Sequence, residues 1–226
     1  MGGGGSAHHK DVGNGNVTGE THSLASLATE RTDDELERST QVVTIVTYLM
    51  PLFYMKNAQL DSSDIVTVQD SWSLIVEDKC THYEECRKAG RTDQPSALVW
   101  FFTEFYGRLF DVHPSVKPLF KSDAKVQGRK LVSMISFLIR LMDLDVDAVH
   151  SQLKSLARMH CAIGVLSNQY ALMMDTLLWT LQHCLGTEVF MPARISWLKC
   201  LSHVLQVLVP VHVVEEMRIR KMSIFA

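Results

Sequence analysis

The stretch SLARMHCAIGV, residues 155–165, places a histidine where it could do chemistry. Leu153, Leu156 and His160 follow one another at spacings of three and four, so on a helix they share one face. A histidine on an apolar face has two readings: a core side chain with a satisfied ring, or a metal ligand. No second His or Cys stands three or four residues away, as a tetrahedral zinc site would require. Cys161 is adjacent in sequence but points about 100° away on a helix. A lone neutral imidazole facing an apolar cavity suits haem better than zinc, because haem iron needs one proximal ligand and an apolar cleft supplies the rest.

Two further stretches carry candidate groups. In EFYGRLFDVHPSVKPLF, residues 104–120, aromatic side chains recur at helical spacing, which by itself describes a core. Tyr106 adds a hydroxyl to that face, and a buried hydroxyl needs a partner. In VQGRKLV, residues 126–132, Gln127 precedes Leu131 by four, so both face the same side; read alone, such a Gln is surface rim. A third stretch, CTHYEECRKAGRTDQ, brings Cys80, His82 and Cys86 close in sequence. It reads as a disulfide, a redox switch, a weak metal site or a solvated loop with unrelated thiols.

These groups need elements to position them, and the pattern is helical almost throughout from residue 61. SSDIVTVQDSWSLIVED (62–78) puts Ile65, Val68, Trp72, Ile75 and Val76 on one face. Residues 79–96 are polar and read as a loop. A helix follows over about 97–111, a break at Pro114, and a helix over about 126–142 with Leu131, Met134, Ile135, Leu138 and Met142 in one stripe. The next helix has Asp145 or Asp147 as its cap. Another opens on Ser167 and stops at Gly186. The last begins at Pro192 and stops before Pro210. With no Gly-rich phosphate loop and no alternating strand pattern, the chain reads as all-α, with six or more helices around one core.

Composition narrows the partners. The chain has 226 residues, 46% of them hydrophobic, and a formal charge of −3. No basic stripe is visible, which argues against nucleic acid. Five cysteines lack the rhythm of a disulfide framework, and no secretory signal opens the chain, so a reducing cytoplasmic compartment is expected. Residues 1–31 are rich in Gly, Ser, Thr, Asn and His and are expected to be a disordered leader. MGGGGS fits N-myristoylation at Gly2, and is equally the unit of a flexible linker. One acyl chain would give only weak, reversible membrane binding. Residues 32–60 read as a helical extension. Thr32 and Glu35 make a capping box, and an uncharged run from Ser39 to Met55 is interrupted by Pro51. That run is short for a spanning helix. It fits a helix packed on the main domain or on a partner, or a segment lying on a membrane surface.

From about residue 61 to 213 the chain resembles a globin. The Trp72 helix resembles the globin A helix, Pro114 the proline that starts the C helix, and Phe120 the phenylalanine that wedges the porphyrin. His160 matches the proximal histidine, and SWLKCL with Trp197 resembles the H helix. The pattern is similar to the globin domain of flavohaemoglobins and bacterial single-domain haemoglobins. FYGRLFDVHPSVKPLF puts Tyr106 at their distal tyrosine, Gln127 and Leu131 fall at their distal glutamine and leucine, and HCAIGVLSNQY puts Tyr170 at the tyrosine that contacts the proximal imidazole. The resemblance implies a three-over-three helical sandwich with an N-terminal extension, a globin domain over 61–213 and a tail over 214–226. It implies haem b iron held by His160, with Phe120, Leu131 and Tyr170 around the cofactor. Tyr106 and Gln127 would donate to O₂ and hold it tightly.

In that group the held O₂ converts nitric oxide to nitrate. No flavin or nicotinamide domain follows here, so an external reductase is the expected electron source. A second expectation is a haem-based gas or redox sensor that signals through residues 1–60 to a membrane or partner. The departures are local. The group's glutamate behind the proximal tyrosine is replaced by His212, with Glu215 nearby, the segment between Phe120 and Gln127 is shorter, and the connection holding Cys80 and Cys86 is longer.

Overall fold

The structure is a computed structural model that describes Met1, Glu35 and residues 37–224. Gly2, the rest of the leader and the Thr32 half of the capping box lie outside the described residues. The chain divides into two units, Met1–Gln41 and Val42–Ala226. In the first, residues 37–41 are helical, and the Gln41 amide donates to Glu37 one turn back. The second begins with helical residues 42–49 (α1). Val42, Val46 and Leu49 pack on the core, while Val43 and Tyr48 stay exposed. After Pro51 the chain turns back, and the Met55 amide donates to Ser202 Oγ at 3.0 Å.

Seven further helices follow: α2 Ser62–Val76, α3 Thr81–Lys88, α4 Ala97–Val112, α5 Ala124–Leu141, α6 Val146–Ala162, α7 Gln169–Leu185 and α8 Thr187–Ile224. A 3₁₀ segment, Pro114–Leu119, makes the break expected at Pro114, because a ring-locked φ suits the first turn of a tight helix. α2, α5 and α6 form one layer and α4, α7 and α8 the other. α2 and α6 lie across α8, α5 lies across α4, and α7 joins α4 to α8. This is the expected three-over-three sandwich. Trp72 and Trp197 add hydrogen bonds to apolar area: Trp72 Nε1–H donates to Ser136 Oγ on α5 within one layer, and Trp197 Nε1–H to Ser71 Oγ on α2 across the two layers.

Helix starts follow local chemistry. Asp61 and Asp64 form a reciprocal capping box on α2, Ser96 caps α4, and Asp145, of the two candidate aspartates, caps α6. Three expectations need correction. The polar stretch 79–96 is not all loop: Tyr83 and Cys86, three apart, are both buried, and that pair makes α3 worth forming. Ser167 does not cap α7; Asn168 takes that position, and Ser167 donates from N and Oγ to Glu216 instead. The last helix neither starts at Pro192 nor stops at Pro210, but contains both. An interior proline costs about 3 kcal/mol. Here Phe190 and Ala193 are buried around the first and Val209, His212 and Val213 around the second, so packing outweighs the local preference. Among the described residues one helical stretch, Thr187–Arg220, is long and apolar enough to cross a membrane, and 67% of its most apolar window is buried in the protein.

Asp64 anchors α2 to α8. Its carboxylate accepts from the Asp61 amide, from Ser196 Oγ at 2.8 Å and from Lys199 Nζ at 2.6 Å. Burial pushes its pKa up, but the bonds from Lys199, Ser196 and Asp61 outweigh it and hold the carboxyl below its usual range. A lowered folded-state value means stability that is complete above the ordinary carboxylate value and is lost as pH falls through the lower one. Asp64→Asn is therefore expected to lower the melting temperature at pH 7 and to shrink the further loss between pH 5 and pH 2. Thermal denaturation followed by circular dichroism across that range checks both.

Candidate haem site

The proximal half is built by α6, the turn after it, α7 and α8. His160 lies in the last turn of α6, half-buried, beside Met159 and Ile163, which are 51% and 66% exposed. Its Nδ1 is 3.2 Å from the Tyr170 hydroxyl on α7. Tyr170 Oη is 2.9 Å from His212 Nδ1 on α8, and His212 Nε2 is 2.9 Å from the Val165 carbonyl. Glu216, one turn further along α8, has Oε1 3.4 Å from the same Nε2. Burial raises the Tyr170 pKa, helped by Cys161 and Glu216, so its hydroxyl keeps its proton. Burial, then His212, lowers that of His160, which keeps the imidazole neutral and able to ligate.

The distal residues come from α4, the 3₁₀ segment and α5. Tyr106 stacks on Phe110 with ring centroids 5.7 Å apart and meets the edge of Phe120 at 5.3 Å. Its hydroxyl donates to the backbone carbonyl of Gln127 at 3.1 Å, not to the Gln127 side chain. Burial pushes the Tyr106 pKa up to about 12. Leu131, one turn after Gln127, is buried. The structure thus brings Tyr106, Phe120 and the Gln127 backbone together, with Leu131 buried one turn on, and joins His160 to Tyr170.

Sequence reasoning found His212 but not its function. The carboxylate behind it is Glu216; Glu215 pairs instead with Arg158 and Arg218. The signal available in the sequence is the spacing of four between His212 and Glu216, against three for Glu215. The connection before α4 holds no disulfide. All five cysteines are free, with Cys80 Sγ donating to the Cys184 carbonyl and Cys86 Sγ 3.5 Å from His82 Nε2. Among the described residues no group of three or more His, Cys, Asp or Glu side chains could hold a metal ion.

The donor set fits haem. Tyr170 engages one ring nitrogen of His160, which leaves Nε2 as the ring nitrogen for iron, and exposed apolar side chains flank it. Fold and donor set together suit a helical haem-binding protein. The globin family model matches residues 103–208, from α4 into α8, and the fold is that of a globin. A bacterial globin from Campylobacter jejuni is similar in fold, with a TM-score of 0.50 at 16% identity, over 69% of this chain and 99% of that one. The globin domain of HGbRL in its closed form matches at 29% identity with a TM-score of 0.30, over 69% of this chain and 99% of that one. Globins generally hold haem iron and bind diatomic gases such as O₂.

Gly128 sets the distal spacing. A Cβ built on it would lie 2.6 Å from Phe102 Cγ, so glycine lets α5 rest on the Phe102 ring. Gly128→Val is expected to push α5 off α4, break the Tyr106–Gln127 bond and cost about 1–3 kcal/mol. Chemical denaturation measures the loss, and Tyr106 fluorescence reports the broken bond in a variant with the other tyrosines removed.

Proposed function

We propose that this chain holds haem b on His160, binds O₂ tightly and converts nitric oxide to nitrate with one electron per turnover from a separate reductase. The overall change is NO + O₂ + e⁻ → NO₃⁻. The observation that carries the reading is the His160–Tyr170 pair, which presents a neutral imidazole with Nε2 unengaged. Haem, when bound, supplies the iron at which a diatomic gas is taken up. His160 orients that iron, and Phe120 and Leu131 keep the pocket dry. Tyr106 holds its proton at neutral pH and is a donor, not a competing phenolate. Its bond to the Gln127 carbonyl is long enough that rotation of the hydroxyl can redirect the proton toward a ligand.

The test begins with an absorption spectrum of the full chain mixed with haem. A Soret band that His160→Ala abolishes supports ligation; its absence in the unaltered chain sinks the reading. Reduced, O₂-saturated protein mixed with nitric oxide should then give one nitrate per haem, and slow oxidation without nitrate would refute the enzymatic part. A donor to a charged acceptor is worth about 1.5–3 kcal/mol, so Tyr106→Phe is expected to speed O₂ dissociation about 10–100-fold by flash photolysis.

A second reading, a gas sensor that reports at a membrane surface, is favoured by one feature. Tyr48 and Leu52 are 92% and 108% exposed, and Val43 62%, on a segment that packs Val42, Val46, Leu49 and Phe53 on the core. If that face docks on lipid, Tyr48→Asp with Leu52→Asp will release the protein from sedimenting vesicles. No vesicle binding by the unaltered chain would end this reading.

A further inference from the structure

We propose that His212 is a positioning residue. It fixes the direction of the hydrogen bonds behind His160 and thereby decides which nitrogen of His160 is left free for iron. The proposal rests on haem ligation by His160.

The argument runs from the backbone outward. The Val165 carbonyl can only accept, so the proton of a neutral His212 sits on Nε2. Nδ1 is then a lone pair and must accept from the Tyr170 hydroxyl. With its proton committed there, Tyr170 offers only lone pairs to His160, whose Nδ1 must therefore donate. Nε2 of His160 is left deprotonated, the form that ligates iron. Each bond in the series has one allowed direction, and the first is dictated by a main-chain atom. Glu216 holds the far end in place. Its carboxylate is pinned by the Ser167 amide at 2.8 Å and hydroxyl at 2.9 Å, and its Oε1 sits 3.4 Å from His212 Nε2, which favours the proton on that nitrogen.

A neutral imidazole thus takes the acceptor position for which the resemblance implied a carboxylate. His212 is fully buried, and its Nε2 is held between the Val165 carbonyl and the Glu216 carboxylate. Without His212, the Tyr170 hydroxyl has one polar neighbour left, His160 Nδ1. It would turn to donate to it, and the His160 proton would move to Nε2, the ligating position.

The experiment uses full-length protein loaded with haem. His212→Leu is expected to weaken haem retention about 10–100-fold, measured by transfer to a scavenging apoprotein, and to shift the iron–histidine stretch in the resonance Raman spectrum of the reduced form. His212→Gln, whose amide can accept from Tyr170 and donate to Val165, should restore both. Unchanged retention and stretch in His212→Leu would overturn the proposal, as would a Gln variant as impaired as the Leu variant. Should the Leu variant not fold, nitrogen-15 NMR of the unaltered, reduced, carbon monoxide-saturated protein decides. A His160 proton on Nδ1 with a His212 proton on Nε2 alone supports the proposal; a His212 protonated on Nδ1 overturns it. An unaltered chain that takes up no haem would instead refute His160 ligation itself.

Discussion

The Val165 carbonyl emerges where α6 has ended and accepts from a histidine 47 residues further on, at 2.9 Å. That one bond ties the turn after α6 to α8, in the region where α6 lies across α8 most extensively. The proximal side of the site is therefore not a set of side chains added to a finished fold. The atoms that orient His160 also close the loop between α6 and α7. Ser167 joins them from the same loop, so both residues flanking Leu166 are tied to α8.

The distal side is organised differently. The chain relies there on aromatic edges and one close approach, with Lys117 Nζ over the Phe110 ring. Phe110 and Phe120 wall Tyr106 from two directions, and Gly128 lets the neighbouring helix come near enough for the phenol to reach a main-chain oxygen. A rigid hydrogen-bonded proximal side and a softer apolar distal side divide the work. The first fixes where the His160 ring points, and the second leaves the Tyr106 hydroxyl able to rotate.

Much of this was legible in the sequence because its physics is local. The spacing of Leu153, Leu156 and His160 already placed the histidine on an apolar face, and the cap of its helix was narrowed to Asp145 or Asp147, of which the structure uses Asp145. Residues 104–120 showed their aromatic face directly. What was not legible depended on packing between distant segments. α3 forms because Tyr83 and Cys86 find a buried site, which no count of polar residues in 79–96 could reveal. Pro192 and Pro210 sit inside α8 because their neighbours are buried on both sides. Glu216, not the Glu215 noted near His212, stands behind that ring, and Ser167, expected as a cap, binds Glu216 only once α7 and α8 are packed.

The return of the N-terminal segment is tied to α8 through Ser202, and the proximal hydrogen bonds through His212. The two positions are ten residues apart on one continuous helix, about 15 Å along its axis. α8 thus serves as a common rod for two attachments that no loop separates. A slide or twist of that rod carries both attachments with it.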